Sequence, residues 1–166
     1  LTKDINVLDS IVNKNDLDYQ TPLELGTQTW FNGRLRFLVA GNYGNNTGVN
    51  DTIYLLPENM GDLDDLASLY LEWNRISELP ASFYKMSNLF SLYMNNNIIN
   101  YIGDSLGNLS NLYFLDLGYN KINYIPSSIC GLENLSYLWL FNNELDSLPD
   151  CFCDMQLNWS INDNGG

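Results

Sequence analysis

Four consecutive segments of the chain align without gaps: LPENMGDLDDLASLYLEWNRISE (56–78), LPASFYKMSNLFSLYMNNNIINY (79–101), IGDSLGNLSNLYFLDLGYNKINY (102–124) and IPSSICGLENLSYLWLFNNELDS (125–147). They begin at residues 56, 79, 102 and 125, so the repeat is 23 residues long. Repeats of this length are typical of a solenoid, because one short unit cannot bury its apolar face alone. Each segment carries the frame L-x-x-L-x-L-x-x-N-x-I/L. The frame residues are Leu66, Leu69, Leu71, Asn74 and Ile76; Leu89, Leu92, Met94, Asn97 and Ile99; Leu112, Leu115, Leu117, Asn120 and Ile122; and Leu135, Leu138, Leu140, Asn143 and Leu145.

The frame resembles that of the leucine-rich repeat family, over roughly residues 35–160. That resemblance implies an α/β solenoid shaped as a horseshoe, with a parallel β-sheet on the concave face and short helical or irregular turns on the convex face. The 23-residue repeat is similar to that of secreted or surface bacterial members. The family mostly binds proteins, so the resemblance also implies a role in protein recognition.

The frame predicts which side chains point inward. Its leucines face the shared core, so we expect Leu115, which has coils on both sides, to be fully buried. The asparagine at the end of each strand can satisfy backbone groups where the chain turns. We therefore interpret the column of asparagines as structural and not as ligand-binding. This column consists of Asn74, Asn97, Asn120 and Asn143.

The two ends of the chain differ from the repeats. Residues 4–15 have apolar residues at helical spacing, and residues 27–38 contain an Asn32-Gly33 turn between two strand-like runs. We predict an N-terminal cap over 1–34, repeats over 35–147 and a partial C-terminal cap over 148–166, with an irregular strand at 157–161. The first coil contains an insertion at 41–52, whose Gly/Asn-rich composition favours a mobile surface loop.

The chain has three cysteines. Cys130 and Cys153 occupy equivalent places on adjacent coils, so we predict a disulfide between them; a Cys151–Cys153 bridge and free thiols are the alternatives. Strong acidity, this bridge and several N-x-S/T sequences favour an extracellular or cell-surface location, that is, a secreted protein.

Composition excludes several functions. The 166 residues carry 7 basic and 20 acidic side chains, a net charge of −13, which argues against nucleic-acid partners and anionic membrane surfaces. No apolar run is long enough for membrane insertion. Histidine is absent, which removes the commonest general base and most zinc sites. We expect no cofactor and no metal, and interpret the acidic stretch 62–65 as a solvated convex edge.

The candidate site is the concave face. Four positions per coil, the third, fifth, seventh and eighth of the frame, are expected to face it, and eight of these sixteen residues are aromatic while none is basic. We expect the rings to be exposed, which is typical of an interaction site. The proposed ligand-binding residues are Tyr70, Glu72, Trp73, Tyr93, Asn95, Asn96, Phe114, Asp116, Tyr119, Tyr137, Trp139, Phe141 and Asn142; Ser68, Ser91 and Gly118 complete the sixteen, and Phe37 and Val39 extend the face.

These residues favour non-catalytic recognition of a protein or peptide. Two other functions remain open: a structural, self-associating module of a larger surface protein, in which the rings form a stabilising ladder, and a carbohydrate-binding module. An enzyme is disfavoured because the two acids of this face, Glu72 and Asp116, lie two coils apart, about 10 Å between backbones at the usual strand spacing.

Overall fold

The computed structural model describes residues 1–45 and 47–158. One α-helix is followed by a six-stranded sheet in which the strands lie side by side in chain order. The first two strands pair antiparallel and all later pairs are parallel. The helix and strands are α1 (Thr2–Lys14), β1 (Thr27–Phe31), β2 (Arg34–Val39), β3 (Ser68–Tyr70), β4 (Ser91–Tyr93), β5 (Phe114–Asp116) and β6 (Tyr137–Trp139). Short 3₁₀ helices form the return segments at Pro22–Glu24, Met60–Asp62, Ala81–Lys85, Leu106–Asn108, Ser127–Gly131 and Asp150–Cys153. The predicted α/β solenoid with a parallel sheet and short helical turns is confirmed.

The frame leucines build the core. The central leucine of each repeat strand pairs with its equivalent on the next, so one register runs through the parallel sheet. Leu115 is fully buried, as the frame predicts. Leu138, in the last strand, is only partly buried, because no further strand pairs with β6 within the described residues.

The asparagine column is structural, as expected. The side-chain oxygen of Asn97 accepts from the backbone N–H of Ile76 at 2.9 Å, and its Nδ2 donates to the carbonyls of Leu71 and Met94. The other three asparagines repeat this pattern, so each ties its own turn to the preceding coil. A second asparagine column on the outer turns was not predicted: Asn88, Asn111 and Asn134 donate to carbonyls 24 residues earlier.

A charged cluster joins the N-terminal helix and the hairpin, the two elements predicted to form a cap. Asp4 is fully buried and accepts from the backbone N–H of Leu35 at 2.7 Å and from Arg34 Nε at 2.9 Å. Arg34 also pairs with Asp64 and Asp65. The side chains of Asp64 and Asp65 are 50% and 34% exposed, so this edge is solvated as expected, but both carboxylates also pair with the partly buried Arg34.

The predicted turn of the cap hairpin is present. Asn32 and Gly33 both have positive φ angles, 50° and 73°, as a two-residue hairpin turn with matching strand twist requires. The helix also begins close to where the spacing predicts, at Thr2.

The predicted Cys130–Cys153 bridge is wrong. The disulfide joins Cys130 to Cys151, with the Cα atoms 5.9 Å apart, and Cys153 is free and exposed. The reason is a stagger between successive 3₁₀ turns. Gly61 N–H contacts Ser82 Oγ, and Gly107 contacts Ser128 in the same way, each 21 residues along the chain and not 23. The residue that faces Cys130 is therefore Cys151.

The insertion at 41–52 lies largely at the surface, as expected, but it is anchored to the core and to the adjacent coil. Val49 and the adjoining Ile53 are fully buried. The backbone N–H of Asn42 donates to the carbonyl of Glu72 at 2.9 Å, and that of Val49 to Gly41 at 3.0 Å. The strand predicted at 157–161 falls largely outside the described residues.

Candidate functional site

The face of the parallel sheet opposite the leucine core, which the frame predicts to be the concave face, carries a ladder of stacked rings. Tyr70 and Tyr93 stack with ring centroids 4.7 Å apart. Tyr93 reaches past Asp116, on the intervening strand, to Trp139, with centroids 6.5 Å apart. Trp139 stacks in turn on Tyr137 at 5.9 Å. A single run of rings therefore crosses strands β3 to β6.

More rings extend this ladder along the N-terminal ends of the strands. Phe114 stacks on Tyr137 at 4.9 Å, and Phe37 lies 5.3 Å from Tyr70 at the other end. Phe90 and Tyr113 stack at 5.1 Å beside them and were missed from the sequence. They lie one residue before the third frame position on neighbouring coils. Aromatic residues at this equivalent position in both coils were the sequence signal that could have predicted their stacking.

The expectation that the rings are exposed is wrong for most of them. Tyr70, Tyr93, Phe114, Tyr137, Trp139 and Phe141 are partly buried, because each ring covers its neighbour. Only Trp73 and Tyr119 among the eight predicted aromatic residues are more than a third exposed, at 57% and 50%. The ladder thus serves the sheet as well as presenting a ring-lined surface.

The two exposed rings share an unusual backbone conformation. The eighth frame position has a positive φ in all four coils: 59° at Trp73, 57° at Asn96, 51° at Tyr119 and 53° at Asn142. Asparagine tolerates this left-handed region, whereas bulky residues rarely adopt it. Tyr119 also makes an edge-to-face contact with Phe141, with centroids 5.1 Å apart.

Two half-buried carboxyls lie among the rings. Asp116 Oδ1 accepts from the backbone N–H of Gly118 at 2.9 Å, and Glu72 accepts from the hydroxyl of Tyr43. Burial raises the pKa of both carboxyls above the ordinary range. Within the described residues neither acid forms a salt bridge, so the concave face carries uncompensated negative charge.

Asn95 lies on the same face of the sheet. It follows Tyr93 by two residues and is the seventh-position neighbour of Glu72 on the next coil. Its side-chain oxygen is buried and has no hydrogen-bond partner among the described residues. A buried acceptor without a donor costs free energy. With Glu72 and Asp116, the concave face is therefore rich in hydrogen-bond acceptors.

The insertion forms one wall of the site. Tyr43 was not predicted as a site residue, yet it hydrogen-bonds Glu72 from the insertion. Its ring packs on glycine backbone: a Cβ added at Gly41 would lie 2.4 Å from the ring, and one at Gly48 would lie 3.1 Å from it. Between the insertion and the sheet lies an open cleft of about 510 Å³, lined by Asn42, Tyr43, Gly44 and Trp73. The glycines of the insertion were a signal for this packing.

The rest of the described chain suggests no metal centre and no membrane span. No group of three or more histidine, cysteine or acidic side chains is arranged to hold a metal ion there. No helix in the same residues has the length and apolarity needed to cross a bilayer.

Comparison with known proteins identifies the class. The model of the family described as Leucine Rich Repeat matches residues 111–132 and 134–155. This match covers two of the four repeats, and the repeated frame and the parallel sheet are similar to those of leucine-rich repeat proteins. No curated protein sequence matches the chain.

Solved structures from bacteria and plants share the fold. A leucine-rich repeat protein of Leptospira interrogans is 25% identical over 69% of this chain and 33% of its own, with a TM-score of 0.50. Internalin C2 from Listeria monocytogenes is 30% identical over 61% of this chain and 43% of its own, with a TM-score of 0.54. The ectodomain of the plant membrane receptor kinase GASSHO1/SCHENGEN3 from Arabidopsis thaliana, in complex with CASPARIAN STRIP INTEGRITY FACTOR 2, is 34% identical over 62% of this chain and 13% of its own, with a TM-score of 0.57. The chain therefore spans less than half the length of each of these proteins.

Proposed function

We propose that the concave face is a non-catalytic recognition surface for an extended peptide or a protein loop. The observation that carries the proposal is the continuous run of rings across four strands, flanked by two carboxyls without basic partners. Aromatic side chains dominate the energetics of protein interfaces, because they bury a large area at a small cost in conformational entropy.

The comparisons support this use of the fold. Repeats of this family are typically binding modules without catalytic activity, and one similar ectodomain is seen in a complex. The disulfide supports a location outside the reducing cytosol, on the cell surface or in secreted form. The acidic face favours a partner with basic side chains over nucleic acid or an anionic surface.

Stacking of the rings also favours the structural function. Each aromatic pair contributes about 0.5–1.5 kcal/mol beyond the area it buries, so the ladder stabilises the sheet. The two functions are compatible, since a preorganised ladder loses little entropy when a ligand covers it. Loss of stability therefore does not exclude recognition, and the decisive measurement is affinity.

The test begins with selection of peptides from a random library on the immobilised wild-type protein. The affinity of a selected peptide is then measured for a Tyr93→Ala/Trp139→Ala variant. We expect at least about a 30-fold loss, since a central aromatic anchor is worth about 2 kcal/mol or more. The matched control is Tyr101→Ala/Tyr124→Ala, which removes two tyrosines that are 58% and 50% exposed and lie outside the concave positions.

The control variant should bind the peptide like wild type. Circular dichroism at the assay temperature must show that both variants are folded. Equal losses in the two variants, or none in the first, contradict the proposal. A glycan array run in parallel tests the carbohydrate alternative, and saturable glycan binding with no peptide selected would replace the proposal.

A further inference from the structure

Trp73 occupies a backbone position that a tryptophan rarely fills. Its φ is 59°, in the left-handed region, where a Cβ is crowded and Asn or Gly is preferred. The equivalent residues Asn96 and Asn142 show what this turn accommodates with least strain. Strain of this kind is concentrated at functional sites, where the surrounding structure holds it in place.

The Trp73 ring contributes little to the fold. It is 57% exposed, and within the described residues it stacks on no other ring, whereas the equivalent Tyr119 contacts Phe141. A strained residue whose side chain is largely in water reduces stability without a compensating contact. Its presence therefore calls for a ligand that covers it.

The ring lines a cleft with fixed walls. Tyr43 on the opposite wall is held by its hydrogen bond to Glu72 and by glycine backbone on which its ring packs. Asn42 is held by its backbone bond to Glu72 at 2.9 Å. Two rings thus line an open cleft of about 510 Å³, and the Glu72 carboxyl is hydrogen-bonded to the hydroxyl of one of them, Tyr43.

Charge indicates the chemistry of the occupant. Glu72 has no basic partner among the described residues, and Asp116 adds a second negative charge to the same face. Three of the seven basic side chains, those of Lys3, Arg34 and Arg36, are paired with Asp4, Asp64 or Asp65 in the N-terminal cluster. A cation over aromatic rings and beside a carboxylate is stabilised by both.

We propose that this cleft is the anchor site for an arginine side chain of the peptide partner, with the guanidinium stacked on Trp73 and paired with Glu72. Guanidinium is planar, stacks on ring faces and is weakly hydrated, so it fits such a cleft better than a lysine ammonium. The proposal rests on the recognition function above and names the chemistry that it selects.

The test uses the probe acetyl-Gly-Arg-Gly-amide and, as its neutral near-isostere, the same peptide with citrulline in place of arginine. Binding is followed by NMR through the indole N–H signals of the four tryptophans, with the Trp73 signal assigned from the variant that lacks it. We expect a saturable shift at Trp73 and at least tenfold weaker binding of the citrulline peptide. Equal binding of the two peptides, or shifts confined to the other tryptophans, would overturn the proposal.

The variant Trp73→Asn separates the anchor function from a structural one. Followed through the backbone amide signals of the cleft, it should lose arginine-peptide binding while its Tm stays unchanged or rises by up to about 3 °C, because Asn relieves the left-handed strain. The control Tyr124→Asn removes a ring that is 50% exposed and lies outside the concave positions, and it should bind the probe like wild type. A fall in Tm of more than about 3 °C with unchanged binding would show that Trp73 is structural.

The anchor proposal fails separately from the recognition function. If library peptides depend on Tyr93 and Trp139 but the arginine probe does not bind, only the anchor site is wrong. If no peptide is selected while the probe still shifts Trp73, the cleft binds cations without the proposed peptide recognition.

Discussion

Replacement of Asn120 by alanine tests the hydrogen-bonded column that holds the coils together. Asn120 is buried; its oxygen accepts from the backbone N–H of Ile99 at 3.0 Å, and its Nδ2 donates to the carbonyls of Met94 and Leu117, each at 3.0 Å. The two carbonyls keep a second donor each, from the neighbouring asparagines of the column. The Ile99 N–H has no other partner among the described residues, so alanine leaves one buried donor unsatisfied.

The expected loss of stability follows from this one unsatisfied donor. An unsatisfied buried donor costs about 1–3 kcal/mol, and the lost donations and the small cavity bring the total to about 2–4 kcal/mol. For a chain of this size the Tm should fall by roughly 5–15 °C. Urea denaturation followed by circular dichroism measures the free energy of unfolding directly.

Asn111→Ala is the matched control. Asn111 lies nine residues earlier in the same coil, is exposed, and makes one side-chain hydrogen bond, of 2.8 Å, to the carbonyl of Ser87. Its removal should cost about 1 kcal/mol or less, since the carbonyl remains accessible to water. If Asn120→Ala is no more destabilising than Asn111→Ala, the structural interpretation of the column is refuted.

Three further outcomes are expected. Leu115→Ala should destabilise by about 2–5 kcal/mol in urea, because it opens a cavity in a fully buried position; a loss below about 1 kcal/mol would mean that the register is wrong. Peptide mapping without reduction should find Cys130 linked to Cys151 and Cys153 alkylated, and a peptide that links Cys153 to either would contradict the staggered turns. Burial raises the pKa of the Asp116 carboxyl, so its contribution to stability is complete below the pKa it has in the unfolded chain and is lost as the pH rises through the raised value. Asp116→Asn should therefore raise the Tm at pH 7 and leave it unchanged at pH 3. Equal effects on the Tm at the two pH values would contradict this expectation.

The sequence was sufficient to predict the solenoid, because its frame states a local rule that every coil obeys. Alternation along a strand fixes which leucines face the core, and the asparagine follows from the need to satisfy backbone groups at a turn. Leu115 and Asn97 therefore lie where the pattern predicts. The cap helix and hairpin were predicted for the same reason, from apolar spacing and the Asn32-Gly33 turn.

Features that depend on how coils are offset could not be derived from the repeat length. The period places Cys153 above Cys130, but successive 3₁₀ turns are staggered by two residues, so Cys151 forms the bridge. That stagger arises from packing between return segments and leaves no mark in the spacing of the frame.

The sequence predicted which residues lie on the candidate site but not which of their side chains contact one another. The concave positions follow from the alternation, whereas the stacking of Tyr93 on Tyr70 depends on rotamers and neighbours that the pattern does not fix. Tyr43 was missed because the insertion takes its conformation from distant contacts with Glu72 and from Gly41 and Gly48. Long-range packing of this kind cannot be derived from composition alone.

The most direct measurement is an NMR map of where a library-selected peptide binds the wild-type protein. We expect amide shifts concentrated at the concave positions, including Tyr93, Asp116 and Trp139, with the convex turns unaffected. A map centred on Tyr101 and Tyr124, which are exposed and lie outside the concave positions, with no change along the sheet would contradict the assignment of the ring-lined concave face as the recognition surface.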